Sequence, residues 1–463
     1  MSTQFGIAPP ARRSVGAARD VTRSARLVRH GQVALNACLL LAGASLAWSG
    51  YRRALFLLAL VPLVFVPFSY ARVRLHRLLA THLSATAGWV VAAAGLGFDA
   101  LMAAQLLTAR QTPDTSILQS PGVVWMGAVW FSAHALLLLG YGLTGLVRRG
   151  AGIATRAYGA ARSHAPNVAS AADGALIGRR ELLQRTGLLG AAIPFGVSLS
   201  SVPLSYDFRV EERHIELPFW PPALDGLRVV HLSDIHVGGL MNRERLLRVA
   251  ELTNVCRPDL VLHTGDFLTH RSGDFDAPLY DALARIRAPH GQWACFGNHD
   301  FDDPQRLERR LRDCGVVALR DRVATVSVHG ALLEIGGIDF LFGRLQRRPV
   351  YERLLAGWGP RAGNPRILLN HEPSAFFELP ADCADLVLSG HTHGGHIGVQ
   401  LTPAHAITLV GLAGLPDQGV FRRGDMRMYV TRCVGFYGYP MRIGIPPEIA
   451  LLVLRSPRRG TAA

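Results

Sequence analysis

The sequence predicts an α-helical transmembrane bundle followed by an α/β domain. Composition is the first ground. The 463 residues are 49% hydrophobic and 18% charged, with a mean hydropathy of +0.21. That is too apolar for one ordinary soluble enzyme and too polar for a pure membrane bundle. The second ground is where the charge lies. All 49 basic residues are Arg, and the formal net charge is +15. Residues 1–204 hold 19 Arg against 5 acidic residues, whereas residues 205–463 hold 30 Arg against 29. The surplus flanks hydrophobic runs, as in the cytoplasmic loops of membrane proteins, and this argues against nucleic acid as a partner. The third is a change of texture after Asp207, from long apolar runs to short β-rich runs alternating with Arg-rich helical stretches.

Taken in order, residues 1–32 read as a basic cytoplasmic arm. Residues 33–146 carry four runs, at 33–50, 54–71, 87–108 and 123–146, each near the roughly 20 residues that span a bilayer. They lack the polar stripe of a soluble amphipathic helix. Arg clusters at 12–29, at Arg72, Arg74 and Arg77, and at Arg148, Arg149, Arg156 and Arg162 outnumber Arg52, Arg53 and Arg110 in the other two loops. The N-terminus and residue 150 are therefore expected in the cytoplasm. Asp99 and His134 fall inside spans and are expected as a polar pair, structural before functional. Residues 147–186 read as a cytoplasmic linker ending in the twin Arg179-Arg180. Residues 187–204 form a fifth apolar segment, expected as a retained span. Twin arginines before a weakly hydrophobic run resemble a twin-arginine export signal, which makes the twin-arginine translocase an expected partner during export. The expected location is a multi-pass protein of the cell membrane, with residues 205–463 outside the cytoplasm.

In residues 205–463, five apolar strands each deliver Asp, Asn or His at their carboxyl ends. Leu227–Ser233 ends at Asp234-Ile235-His236, and Asp259–Thr264 at Gly265-Asp266. Gln292–Phe296 ends at Gly297-Asn298-His299-Asp300, Arg366–Leu369 at Asn370-His371-Glu372, and Asp385–Leu388 at Ser389-Gly390-His391-Thr392-His393-Gly394-Gly395. In α/β sheets that edge is where ligands collect. Carboxylate, amide and imidazole donors without thiolate suit Mn, Fe or Zn. Asp234 and His236, like His391 and His393, lie two apart. Both members of a pair face inward only if the chain leaves regular β geometry there.

The series D-x-H, G-D, G-N-H-D, H and G-H-T-H-G-G, in that order, resembles the calcineurin-like metallophosphoesterase superfamily over about residues 225–455. The segment 435–449, from Gly435-Phe436-Tyr437 through Pro440-Met441-Arg442 to Pro446-Pro447-Glu448, resembles its membrane-associated branch. That branch includes phosphodiesterases with twin-arginine signals and some UDP-2,3-diacylglucosamine pyrophosphatases. The resemblance implies an α/β metallophosphoesterase domain of two packed β-sheets flanked by helices, and two divalent metal ions. It assigns Asp234, His236 and His393 to one ion, Asn298, His371 and His391 to the other, and Asp266 to both. A hydroxide between the ions would attack phosphorus in line. His299 would face the leaving group as proton donor, and Asp300 would orient His299 through a hydrogen bond. His396 departs from the family pattern, where Gln is common, and is expected at the substrate or behind the ligands.

Other residues have plainer readings. His231 and His263 are expected as core or supporting histidines, and Asp274 and Asp276 as a solvated loop. Glu372 is expected in a cap or salt bridge. Arg344, Arg347 and Arg348 are placed in a loop, gripping phosphate or solvated. The six cysteines compel no disulfide. The expected function is a membrane-tethered, dinuclear-metal phosphoesterase acting on a phosphomonoester or phosphodiester of a small molecule or lipid. The alternatives are a lipid-linked pyrophosphatase of the UDP-diacylglucosamine type, and a non-catalytic membrane sensor or transporter with a regulatory metal domain. The transporter reading needs more polar groups in the spans than the sequence supplies. A dead relative would have lost a ligand, and none is missing.

Overall fold

The structure is a computed structural model that describes residues 15–48, 61–82, 84–108, 120–161, 179–238, 240–269, 276–341, 344–358, 363–402, 405–435 and 441–457. The chain divides into two compact units. One comprises residues 1–119 and 126–199, the other residues 120–125 and 200–463.

The first unit is helical. Its described helices are α1 (Val15–Trp48), α2 (Val66–His82), α3 (Ala85–Thr108), α4 (Pro121–Ala161) and α5 (Arg179–Leu204). Among the described residues, two stretches are long and apolar enough to cross a membrane, Ala85–Ala104 and Gly122–Thr155. Helix α1 starts well ahead of the expected span at 33. Residues 15–32 hold no proline and are rich in Ala and Arg, which favour helix. For the same reason α4 runs past Arg148 and Arg149 into the stretch expected as linker. Of the run expected at 54–71, residues 54–60 lie outside the described residues, and a π-helical turn, Val61–Phe65, leads directly into α2. Pro62 and Pro67 remove backbone donors on either side of that junction.

Arg72 does not belong to a cytoplasmic loop. It sits inside α2 with no exposed surface. Its Nη1 donates to Asp99 Oδ1 at 2.9 Å and to Gly95 O at 2.9 Å, and its Nε donates to Gln32 Oε1 at 3.1 Å. The expected pairing of Asp99 with His134 is thus corrected, because the buried carboxylate has a cation as partner. His134 instead bonds the Trp130 carbonyl through Nδ1 at 2.8 Å and packs against the Trp130 ring at 4.3 Å.

The second unit holds two six-stranded mixed sheets. One has the order β1-β14-β2-β3-β4-β5 and the other β12-β13-β9-β8-β7-β6. In the first, β2 (Leu227–Leu232), β3 (Leu260–His263), β4 (Gln292–Ala294) and β5 (Val316–Ala318) run parallel. The edge strand β1 (Arg209–Glu216) pairs with β14 (Glu448–Arg455), which is antiparallel to β2. In the second, β7 (Ala331–Ile338), β8 (Arg366–Asn370), β9 (Leu386–Ser389) and β13 (Met426–Val430) are parallel, with β6 (Arg322–Val328) and β12 (Gly419–Arg423) antiparallel at the edges.

Alternation along these strands explains the layers. Val229, Leu260 and Leu262 of the first sheet pack with Ile335, Ile367, Leu369 and Leu386 of the second in one core. The outer face of the first sheet is covered by α6 (Arg243–Val255), α7 (Ala277–Leu283) and α8 (Pro304–Asp313) through Leu246, Val249, Leu283 and Leu307. The outer face of the second is covered by α9 (Arg344–Trp358) through Tyr351, Leu354 and Trp358. Strands buried on both faces read as continuous apolar runs, as β2, β3, β8 and β9 do. A separate two-stranded hairpin, β10 (Gly398–Thr402) with β11 (His405–Thr408), leads into one helical turn, α10 (Leu409–Leu412).

Candidate metal centre

The chain leaves β geometry at the carboxyl ends of the parallel strands. Asp234, His236, Asp266, His391, His393 and His396 all have positive φ, between 50° and 67°. Such conformations cost non-glycine residues on the order of 1–3 kcal/mol each and persist only where the surroundings enforce them. Here they turn side chains two apart in sequence toward one point, as the spacing requires. Two glycines make room. A Cβ on Gly390 would lie 2.3 Å from Asp234 Oδ2, and one on Gly297 2.2 Å from Asp266 Oδ1.

The converging atoms are acidic oxygens and imidazole nitrogens. His393 Nε2 lies 3.1 Å and His236 Nε2 3.8 Å from Asp234 Oδ1. Asp266 Oδ2 lies 3.5 Å from His236 Nε2 and 3.4 Å from His371 Nε2. His371 Nε2 is also 3.2 Å from Asn298 Oδ1 and 3.0 Å from His391 Nδ1. Asp266 therefore belongs to two groups of atoms, one with Asp234 and His236 and the other with His371 and His391, each group within 4.8 Å. All seven expected ligands are brought together.

Backbone carbonyls fix the rings. The Nδ1–H of His371 donates to Thr264 O at 2.6 Å, that of His236 to Leu268 O at 3.2 Å and that of His393 to Gly435 O at 3.2 Å. Each leaves Nε2 facing the centre, the tautomer a metal ligand needs. Electrostatics agree. Against the cost of burial, the His371 and His236 charges lower Asp266 to about 2. Burial opposes protonation of His371, but the Asp266 and Asp234 carboxylates push it up to about 10. Four imidazoles, two carboxylates and an amide with one shared carboxylate fit divalent cations of the Mn, Fe or Zn kind.

His299 stands beside the cluster, its ring 5.1 Å from that of His236. Its backbone N–H donates to Asp266 Oδ1 at 2.8 Å. Burial lowers its imidazole to about 4, so the ring is neutral at pH 7. Asp300, expected to orient His299, accepts from backbone amides of its own and the neighbouring loop. Its Oδ2 accepts from the Asp266 and Gly297 amides at 2.7 and 2.9 Å, and its Oδ1 from those of Phe267 and Leu268 at 3.0 and 3.4 Å. It fastens the Asp266 loop to the Asn298 loop through backbone.

Behind the ligands, His231 Nε2 donates to Thr264 Oγ1 (2.9 Å), which donates to Ser233 Oγ (2.7 Å), which donates to Asp234 Oδ2 (2.5 Å). His263 bonds Gln292 within the core. His396 stacks on His393 at 4.8 Å, and its Nδ1 meets Met441 O at 3.3 Å. Glu372 pairs with Arg347, which lies in α9 and not in a loop; Arg348 is exposed and pairs with Glu352. The Arg344 side chain, like Asp274, falls outside the described residues. Asp276 is buried against Arg306 at 2.9 Å, contrary to a solvated loop.

Two residues with a place here carry no sequence signal for it. Buried Arg442 donates to His393 O (3.0 Å), Cys433 O (3.2 Å) and Gly435 O (2.6 Å), clamping the His393 loop. Cys433 donates from Sγ to Asp234 Oδ2 at 3.1 Å, and burial with the Asp234 charge keeps it a thiol. All six cysteines are free.

A family model described as calcineurin-like phosphoesterase matches residues 227–395. The uncharacterized metallophosphoesterase YkuE of Bacillus subtilis is 31% identical over 252 residues, covering 53% of this chain and 85% of that one. A zebrafish (Danio rerio) transmembrane protein with metallophosphoesterase domain is 34% identical over 52% of this chain and 56% of its own. The phosphodiesterase YaeI of Escherichia coli is 26% identical over 60% of this chain and all of its own. The matched family region includes every residue of the centre from Asp234 to His393.

Proposed function

Because this chain belongs to the calcineurin-like metallophosphoesterases, and so is a metal-dependent phosphoesterase, we propose that residues 205–463 hydrolyse a phosphomonoester or phosphodiester at a dinuclear centre. Asp234, His236 and His393 would hold one ion and Asn298, His371 and His391 the other, with Asp266 offered to both. The observation that carries this is the position of Asp266 between two clusters of Nε2 and carboxylate atoms. When bound, the ions supply Lewis acidity and an activated water for in-line attack on phosphorus.

The rest falls to the chain. His299, at the edge of the cluster, faces the leaving group. A neutral ring offers it an N–H donor, and the charge of a bound phosphate raises its affinity for a full proton. Asp300, Arg442 and the Thr264–Ser233 pair hold the ligand loops in their left-handed turns. The functional unit is tethered to a membrane by its helical half, with the catalytic half outside the cytoplasm. The Arg distribution supports this orientation. Within α5 the apolar part is Gly190–Leu204, shorter than the two candidate spans and preceded by Arg179, Arg180, Glu181 and Arg185.

The test is turnover of 4-nitrophenyl mono- and diesters by the full chain in detergent. Hydrolysis is expected, lost on chelation and restored by Mn²⁺. Activity that survives exhaustive chelation would contradict the reading.

A further inference from the structure

From Ile397 to Pro416 the chain carries no Arg, Asp or Glu for 20 residues, within a half that holds 30 Arg and 29 acidic residues. This segment forms β10, β11 and α10. Val399 stands opposite Ile407 in the hairpin register, so the two share a face, and Leu401 falls at the bulge between Gln400 and Thr402. Val399, Ile407 and Leu401 are open, at 61, 50 and 60% exposed, and Leu409, Leu412 and Leu415 follow them in the chain at 61, 74 and 52%. A contiguous apolar surface of this kind marks an interaction site. The hairpin belongs to neither main sheet.

The opposite side fastens it to the metal-ligand loop. Thr408 is buried, and its hydroxyl donates to Asp417 Oδ2 at 2.5 Å. The Thr392 hydroxyl, between His391 and His393, donates to Asp417 O at 2.8 Å. A Cβ on Gly395 would meet Thr408 Oγ1 at 2.8 Å. Beside Ile407 lies a cavity of about 290 Å³ whose wall includes Arg422, His405 and Gln418, with Arg213, paired with Glu211 at 3.1 Å, and Arg432, paired with Glu211 at 2.9 Å. Its acidic residue, Glu448, is buried and accepts from Arg432 and Tyr429.

We propose that the β10–β11 hairpin and α10 dock on an anionic lipid bilayer, bringing a membrane-borne phosphoester to the His391–His393 loop. The inference rests on reading the centre as a phosphoesterase. An uncharged apolar face with cationic groups at its rim is the pattern of a surface that inserts at the boundary of headgroups and acyl chains. Two helices of the same chain are long and apolar enough to cross a membrane, so a bilayer is close at hand.

The test uses the full chain in nanodiscs of phosphatidylcholine and phosphatidylglycerol, with two substrates sharing one leaving group. These are hexadecyl 4-nitrophenyl phosphate in the disc and methyl 4-nitrophenyl phosphate in solution. In the double variant Leu401→Asp, Leu412→Asp, kcat/KM for the hexadecyl ester should fall at least tenfold while that for the methyl ester stays within twofold. An unchanged hexadecyl rate overturns the proposal. A nitroxide on Leu412→Cys, in a Cys38→Ser background, reads insertion without turnover. It should be more accessible to oxygen than to a water-soluble nickel chelate; the reverse order overturns docking. If the wild type hydrolyses neither ester, the phosphoesterase reading fails while the nitroxide still decides docking. A dimer that the double variant dissociates would assign the face to a second copy and overturn the bilayer.

Discussion

At the scale of single residues, the proposed ligands are distinct from the groups that serve them. His299 touches the cluster but is not among the ligands. His299→Ala should therefore keep the metal content and slow turnover by about 10²–10⁴-fold, the range for a positioned acid. The loss should be smaller for a 4-nitrophenolate leaving group than for an alkoxide. Equal losses would remove the leaving-group role. His371 makes a pH prediction. Held up to about 10, it carries a proton in the metal-free centre at pH 7.5. A metal must take Nε2 bare, so that proton leaves on binding. Affinity should then rise with pH, by roughly tenfold per unit for each proton released. Calorimetry in two buffers of different ionisation enthalpy should count at least one proton. None released would mean that His371 does not bind the ion through Nε2.

At the scale of elements, strands two, three, four, eight and nine were readable before any coordinates. Each is a short, mostly apolar run, and Asp, Asn or His follows within four residues of its end. Even the departure from β geometry followed from two ligands placed two apart. Arg72, Asp276, Arg347, Arg442 and Cys433 were not readable. Their partners lie far along the chain or on backbone carbonyls, and such pairings leave no periodic trace. Helix ends were missed where Ala and Arg continue a helix beyond its apolar stretch, as in α1 and α4. The Arg72–Asp99 pair between α2 and α3 supplies the element-scale prediction. Arg72→Ala strands a buried carboxylate and should destabilise the helical unit by about 3–5 kcal/mol. The double variant with Asp99→Ala should recover part of that loss. Denaturant unfolding in detergent measures both, and a cost no greater than that of exposed Arg74→Ala would contradict a structural role.

At the scale of the whole molecule, membrane association is indicated by the two apolar helices and by relatives named as transmembrane proteins. The proposed orientation predicts a reporter pattern. Alkaline phosphatase fused after residue 150 should be silent and after residue 215 active. A fluorescent reporter that works only in the cytoplasm should show the reverse. Phosphatase silence at both points would put the catalytic half inside. The central claim, a centre of two ions joined by Asp266, is tested most directly by metal content and turnover measured on the same preparations. The purified wild type should hold two divalent ions per chain, and Asp266→Ala should lose both together with its hydrolytic activity. A fully active wild type with one ion, or an Asp266→Ala protein that keeps one ion and substantial turnover, would contradict it.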